Sequence, residues 1–353
     1  MSERKKLIFF GELPPTVLHG VSLSNARILS SIVDLYDIKV VEDKVSFKSR
    51  IKGLLGFSIS LFKLAFFSFQ QCDVYYTNLP TSFLGLVRVY FTVLLVKFLS
   101  FKVKVYCHLH RGDINEFLLI ERNRKVFESF SKRLYKIIVL ADSCKVDLEE
   151  SGFIESEKIF VLHNTVSVET VESNFSSDYN YFYCLCNYIE TKRIDKLVSI
   201  SNKLGHIDFR FNGAVSSNSY YVSMKSKSGS NCEIGSTIQG QEKELALRNA
   251  KALVLPSLNE GMPLVILESL ALGTPVICFN IGFISDYIGE DYPGLVTDLS
   301  DKALTDKITW LNELSSSDYM NLRTLSYKLF WDNFSEELIL KDVYKCFGYK
   351  NRM

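Results

Sequence analysis

Several things are missing from this sequence, and each absence removes a class of protein. No two of its eight cysteines are spaced as Cys-x-x-Cys, so a zinc site of the usual ligand spacing is not expected. Cys72, Cys107, Cys144, Cys184, Cys186, Cys232, Cys278 and Cys346 lie mostly inside apolar, strand-like runs, which reads as reduced thiols in the core of a cytoplasmic protein. Large net charge is also absent: 41 Lys+Arg against 40 Asp+Glu leave +1, so nothing global points to nucleic acid. No uncharged apolar run reaches the roughly 18 residues a spanning helix needs. The longest stretches, 54–69 and 83–99, are interrupted by Lys63 and by Arg88 and Lys97. Before Gly11 the start holds only four consecutive apolar residues, too few for a signal-peptide core. No Gly-x-Gly-x-x-Gly occurs and no internal repeat is visible. Asp-x-Asp is absent too, since "DLSD" at 298–301 has the wrong spacing.

What is present is ordinary globular composition, 47% hydrophobic and 23% charged, over a 353-residue length that suits about two domains. Charge is uneven along the chain. Residues 1–168 carry 23 Lys+Arg against 17 Asp+Glu, and the remainder 18 against 23. A basic first half suggests an anionic ligand or surface met there. Both apolar stretches read as core helices. With Lys44, Lys48, Arg50, Lys52 and Lys63 nearby, they also suit an anionic lipid surface. An ordinary core helix pair is the plainer alternative.

Short apolar runs alternate with helical patterns. Strands are expected at 6–10, 38–42, 73–78, 102–110, 136–142 and 158–164, with helices at 23–36, 82–99, 116–135 and 144–151 between them. The polar segment 167–180 reads as a linker. Strands then return at 181–187, 207–213, 252–257 and 275–280, with helices at 242–250 and 263–272 and a partly mobile loop at 215–231. Such alternation argues for α/β architecture: two Rossmann-like, doubly wound domains facing a cleft, 1–168 and 179–330.

Within "SLNEGMPLVILESLALGTPVICF" (257–279) the only charges are Glu260 and Glu268, eight positions apart. After the strand, Gly261 is expected to allow unusual dihedrals, Pro263 to open a helix, and Gly273 with Pro275 to close it. Glu260 then sits at the helix mouth and Glu268 about 1.5 turns inside. Amides near Gly261, Met262 and Leu264 form the helix N-terminus, suited to anions or polar oxygens. A ligand with phosphate and many hydroxyls would match both features. Solvent-facing carboxylates near a helix start are the plainer reading.

This stretch resembles the donor-site signature of family 4 of the retaining glycosyltransferases, which have the GT-B fold. Pro256, Ser257, Glu260, Gly261, Met262, Pro263, Glu268, Gly273, Thr274 and Pro275 all match in order. The resemblance implies that Glu260 contacts the donor sugar, Glu268 holds the nucleotide ribose, and the loop Gly261, Met262, Pro263 and Leu264 lines the donor site, with the amides of Gly261, Met262 and Leu264 serving sugar or phosphate. It extends to residues 11–29, where Gly20 would let backbone approach the ligands; many relatives have two adjacent glycines, and this chain has one. It includes 137–166 and the tail 330–347, which implies a final helix, about 331–353, crossing back to the first domain. His108 and His110 share a face of one strand. The resemblance implies that His110 lies beside the sugar and His108 is structural, whereas a metal site with Asp113 lacks a supporting motif. The diphosphate is usually held by an Arg and a Lys. Lys192 matches the lysine, but Asn187 stands where Arg is common and Arg193 where Gly is common. Arg193 compensating, or Asn187 bonding phosphate neutrally, would restore the site; a solvated turn is the plainer reading. Ile238 falls in the expected base-contact segment, 236–238.

The function implied is retaining, metal-independent transfer of a sugar from a UDP- or GDP-linked donor, with no further cofactor. His110, Glu260 and Lys192 would be the catalytic residues. The acceptor would be a lipid-diphosphate-linked glycan in bacterial surface polysaccharide synthesis, O-antigen or capsule. The enzyme would be cytoplasmic and peripheral on the inner face of the membrane. A GT-B nucleotide-sugar epimerase and a non-catalytic sugar-nucleotide-binding partner are the rivals.

Overall fold

A computed structural model describes residues 4–43, 50–168 and 181–349. Most of the expected linker, from 169 onward, and Lys44 and Lys48 lie outside the described residues. The chain forms two compact units, Met1–Asn164 with Glu337–Met353, and Thr165–Glu336.

In the first unit, strands β1 (Lys5–Gly11), β2 (Tyr36–Glu42), β3 (Val74–Leu79), β4 (Lys104–Leu109), β5 (Lys136–Val139) and β6 (Ile159–Val161) make one parallel sheet. Its order is β2-β1-β3-β4-β5-β6. Helices α1 (Gly20–Ser31), α2 (Arg50–Phe69), α3 (Phe83–Leu99), α4 (Ile114–Leu119), α5 (Glu121–Ser131) and α6 (Asp142–Glu150) intervene. Leu7, Ile8, Phe9 and Phe10 are all buried, as expected for a strand covered on both faces.

The second unit repeats the plan. Strands β7 (Tyr181–Leu185), β8 (Phe209–Asn212), β9 (Cys232–Ile234), β10 (Ala250–Leu255), β11 (Val276–Phe279) and β12 (Leu295–Val296) are parallel, in the order β12-β11-β10-β7-β8-β9. Its helices are α7 (Ile194–Lys203), α8 (Asn218–Lys227), α9 (Gly240–Arg248), α10 (Leu264–Ala271), α11 (Ile284–Ile288), α12 (Asp301–Asn312) and α13 (Ser316–Asn333).

A last helix, α14 (Glu336–Cys346), belongs almost wholly to the first unit. Ile339, Val343, Cys346 and Phe347 fall at helical spacing and enter its core beside Leu7, Phe9 and Tyr76. Phe347 stacks on Tyr106 with centroids 5.0 Å apart, and the Tyr36 hydroxyl donates to the Phe347 carbonyl at 2.8 Å. The crossing segment therefore begins later than 331, because α13 runs to Asn333 and Phe334 ends it.

Four local expectations are corrected. Segment 215–231 is not a loop, since α8 fills most of it. Ser217 caps that helix, Met224 is buried, and Tyr221 meets Tyr188 edge-on; the serine-rich composition masked these contacts. The helix expected at 116–135 breaks at Ile120, whose backbone is extended. Helix α1 starts at Gly20, because His19 and Ser22 form a reciprocal capping box. Gly261 is absent from the positive-φ glycines, while Gly273 takes φ 65° and ends α10 as expected.

All eight cysteines are free. No helix among the described residues is long and apolar enough to cross a membrane. Helices α2 and α3 pack beside each other, and both carry large apolar side chains on their outward faces. On α2 the buried positions include Ser60, Leu64 and Ser68, whereas Leu55, Ile59, Phe62, Phe66 and Phe69 are exposed. On α3, Leu84, Phe91, Leu94 and Phe98 are exposed.

Candidate active site

In the second sheet, β10 pairs with β7, so strand order reverses between them. Connections leaving the carboxyl ends of two such strands diverge and leave a crevice. The loops carrying Asn187–Arg193 and Glu260–Pro263 leave from that place. They are joined by an ion pair: Lys192 Nζ donates to Glu260 Oε1 at 2.5 Å. Glu260 is only 9% exposed, so a partner for its charge is a physical requirement. Nearby, the Ser257 and Tyr287 hydroxyls are buried without a hydrogen-bond partner among the described residues. Burial, with the charge of Glu260 adding to it, pushes the Tyr287 phenol well above its ordinary pKa.

The loop then enters α10. Pro263 is its N-cap, with φ −65° and ψ 127°, one place earlier than the first helical position expected of it. Gly261, Met262 and Leu264 are buried. Glu268, in the middle of α10, accepts from Lys243 Nζ at 2.6 Å. Lys243 lies on α9 and was not singled out by sequence. No spacing rule links positions 25 apart in two different helices.

Arg193 takes the left-handed conformation, φ 52° and ψ 35°, a region that favours glycine. A side chain there costs conformational energy. Its guanidinium donates to Asp301 Oδ1 at 2.7 Å and to the Leu299 carbonyl at 3.5 Å, and it lies over the Phe279 ring. Asp301, the N-terminal residue of α12, is a second neighbour that sequence reasoning missed. Asn187 is half-buried directly after β7, and Ile238 is half-buried between β9 and α9.

His110 and Gly20 belong to the first unit. His110 follows β4, and its ring lies 3.9 Å from that of His108 between centroids. His108 Nδ1 is 2.9 Å from the Tyr76 hydroxyl, which fits the structural part expected of it. Asp113 pairs with Arg111. Gly20 opens α1, and a Cβ there would meet nothing within 4 Å, so packing inside the chain does not require glycine. Beside it, His19 Nδ1 accepts from the Ser22 amide at 3.2 Å, which leaves Nε2–H to donate to Glu12 at 2.8 Å.

Burial pushes the His110 imidazole down to about 3. His108 is pushed well below its ordinary value, by burial and then by His110. The folded state thus binds these protons less readily than the unfolded chain. Stability contributed by the neutral rings is complete above about pH 6.5 and declines as pH falls toward 3. His110 contributes a slope of up to about 1.4 kcal/mol per pH unit within that window. A His110→Asn variant is expected to show a shallower decline between pH 6 and 4 in urea unfolding; an unchanged slope would refute the assignment.

Comparisons with known proteins place these features in context. Residues 169–326 match the family described as Glycosyl transferases group 1. Over 79 residues the chain is 39% identical to TuaC of Bacillus subtilis (strain 168), a glycosyltransferase named for teichuronic acid biosynthesis, covering 21% of this chain and 20% of that protein. Over 219 residues it is 24% identical to an uncharacterized glycosyltransferase of Methanocaldococcus jannaschii, covering 60% of each. These curated relatives are therefore matched over less than two thirds of their length. The solved structure of Anabaena HepE in complex with UDP and glucose superposes with a TM-score of 0.73 at 13% identity, covering 98% of this chain and all of that one. Together the findings show the GT-B fold, and residues 169–326 as a stretch that matches the Glycosyl transferases group 1 model.

Proposed function

We propose that the protein transfers a hexosyl group from a nucleotide-sugar donor, UDP- or GDP-linked, to a hydroxyl of a glycan acceptor, with retention of anomeric configuration. The observation that carries this reading is the joining of Lys192 and Glu260 at the sheet's reversal point, beside the start of α10. Donor binding would draw on Glu260 for sugar hydroxyls and Glu268 for the ribose, with amides of Gly261, Met262 and Leu264 and the side chains of Lys192, Arg193 and Asn187 near the diphosphate. HepE, whose structure holds UDP and glucose, supports a donor of this class.

In the step itself, the bond from the anomeric carbon to the diphosphate oxygen breaks, and its electron pair leaves with the diphosphate. A new bond forms to the acceptor oxygen, whose proton passes to the departing phosphate. Lys192 and the α10 N-terminus would stabilise the developing anion, a preorganised electrostatic contribution that needs no metal. His110 would act near the reacting bond.

The acceptor would be a lipid-diphosphate-linked glycan of bacterial surface polysaccharide, a reading supported by the name of TuaC and by the apolar faces of α2 and α3. Those faces would hold the enzyme on the inner leaflet of the cell membrane. A non-catalytic nucleotide-sugar-binding partner is favoured by one observation alone, the engagement of Arg193 with Asp301.

A thermal-shift panel of UDP- and GDP-sugars tests the reading. A ligand at 100 times its Kd stabilises by about 2.7 kcal/mol, so a rise of several degrees is expected with one base and not the other. Glu268→Ala should abolish it. No shift with either base would reject the donor assignment; a shift without transfer to a crude lipid-linked acceptor pool would favour the non-catalytic partner.

A further inference from the structure

Two thiols stand at the end of β7, directly before the loop that carries Lys192. Six of the eight cysteines are buried, while Cys186 and Cys232 are half-buried. Cys184 is the next-to-last residue of β7, and Cys186 follows its last, Leu185. Side chains two apart on a strand share a face, and these two sulfurs lie 3.8 Å from each other. One thiol of the pair is thus enclosed and the other open to a reagent. The hydrogen bond with Cys186, with burial adding to it, pushes the Cys184 thiol well above its ordinary pKa. Cys186 is therefore placed to react first, and Cys184 to react with it.

A bridge between them is geometrically accessible. A disulfide holds its sulfurs about 2.0 Å apart and spans Cα atoms up to about 6.8 Å apart. Residues two apart on an extended strand are separated by about 6.6 Å. Closure therefore needs the sulfurs to approach and the end of β7 to tighten. The backbone has little room for that. The Cys186 amide donates to the Asn212 carbonyl at 3.1 Å, and the Tyr188 amide to the Ala214 carbonyl at 2.9 Å. A Cβ on Gly213 would fall 1.8 Å from the Cys186 carbonyl oxygen, so the chain leaving β8 passes as close as glycine permits. What shifts at Cys186 is carried into residues 187–192, at whose end Lys192 Nζ meets Glu260 Oε1 at 2.5 Å.

We propose that Cys184 and Cys186 form a reversible disulfide, and that the bridge loosens residues 187–192 and draws Lys192 away from Glu260. The oxidant is a low-molecular-weight disulfide of the glutathione class. The Cys186 thiolate attacks one of its sulfurs, that S–S bond breaks, and one thiolate leaves and takes up the proton Cys186 gave. Cys184, losing its own proton, then attacks the Cys186 sulfur of the mixed disulfide and expels the second small thiol, which takes up that proton. Two protein thiols are oxidised and one small disulfide is reduced to two thiols. Joining residues this near in sequence constrains the unfolded chain little, so the bridge gains no large stability that would make it permanent. Formation of the bridge does not rest on the transferase reading; its effect on donor binding does.

The test uses the full chain, incubated folded with oxidised glutathione, trapped with an alkylating reagent and mapped by mass spectrometry without reduction. The peptide holding both cysteines should be lighter by the two hydrogens lost and should escape alkylation until dithiothreitol is added. Hydrogen exchange across 187–192 should be at least tenfold faster in the oxidised protein, and should return on reduction. Cys186→Ser should give neither the bridge nor the faster exchange, and its half-buried site makes it the variant expected to fold as the parent does. Cys184→Ser, at a buried site, should stop at the glutathione adduct on Cys186. The proposal is overturned if both parental thiols stay open to alkylation, or if the parent carries only the adduct. It is equally overturned if the bridge forms with exchange unchanged, or if oxidised Cys186→Ser loosens the same loop. Thermal shifts with UDP- and GDP-sugars are read on the same samples. A shift lost on oxidation and restored on reduction carries the effect to donor binding, and a shift that survives oxidation refutes that effect. No shift from the reduced parent sinks the transferase reading and leaves the bridge standing.

Discussion

Lys192→Ala is expected to lower sugar transfer about 100- to 1,000-fold, the loss typical when one preorganised stabiliser of a developing anion is removed. The ammonium is the cation placed at the reversal point of the second sheet, 2.5 Å from Glu260. Its removal also leaves a carboxylate that is only 9% exposed without its ion-pair partner. For a fully buried pair, loss of one member costs about 3–5 kcal/mol; the lysine side chain is 23% exposed, so solvent will return part of that. The two effects separate in a double-mutant cycle. Glu260→Gln added to Lys192→Ala should recover stability in urea unfolding and recover no turnover. Single variants that transfer sugar at the parental rate would remove Lys192 from the mechanism.

A triple variant, Phe62→Ser, Phe66→Ser and Phe98→Ser, is expected to abolish flotation with anionic vesicles. Phe62 and Phe98 are 74% and 86% exposed, so the free protein gains little from them. Burying a phenylalanine in an apolar medium is worth about 1.5–3 kcal/mol, and three together change partitioning by at least about a thousandfold. Neither α2 nor α3 contains an acidic residue, and Lys63 lies on the exposed side of α2, which favours negatively charged headgroups. Thermal stability should stay close to that of the parent. Parent protein that fails to float with phosphatidylglycerol vesicles at low salt would defeat the membrane reading.

Much of the architecture was legible in the amino-acid order because buried parallel strands advertise themselves. Runs such as Leu7–Phe10 and Leu253–Leu255 have no other plausible home. The start of α10 was legible to within one residue, from Pro263, and its end from Gly273. What stayed hidden depends on tertiary placement. Lys243 meets Glu268, and Asp301 meets Arg193, across distances in sequence that no periodicity encodes. Helix α8 stayed hidden for a different reason: serines and lysines cover a segment whose order comes from Met224 and the tyrosine contacts. Asp43 and Arg88 were invisible as a pair, since one ends a strand connection and the other looked like an interruption in an apolar run.

The placement of α14 bears on how the polypeptide is made. Tyr36 and Phe347, 311 positions apart, share a hydrogen bond in the same core. As synthesis proceeds, the earliest-made sheet must wait, with a slot beside Tyr76 and Tyr106 open to solvent, until everything in the intervening unit has emerged. A nascent chain halted anywhere before residue 336 should therefore expose apolar surface to chaperones from its oldest part, not its newest.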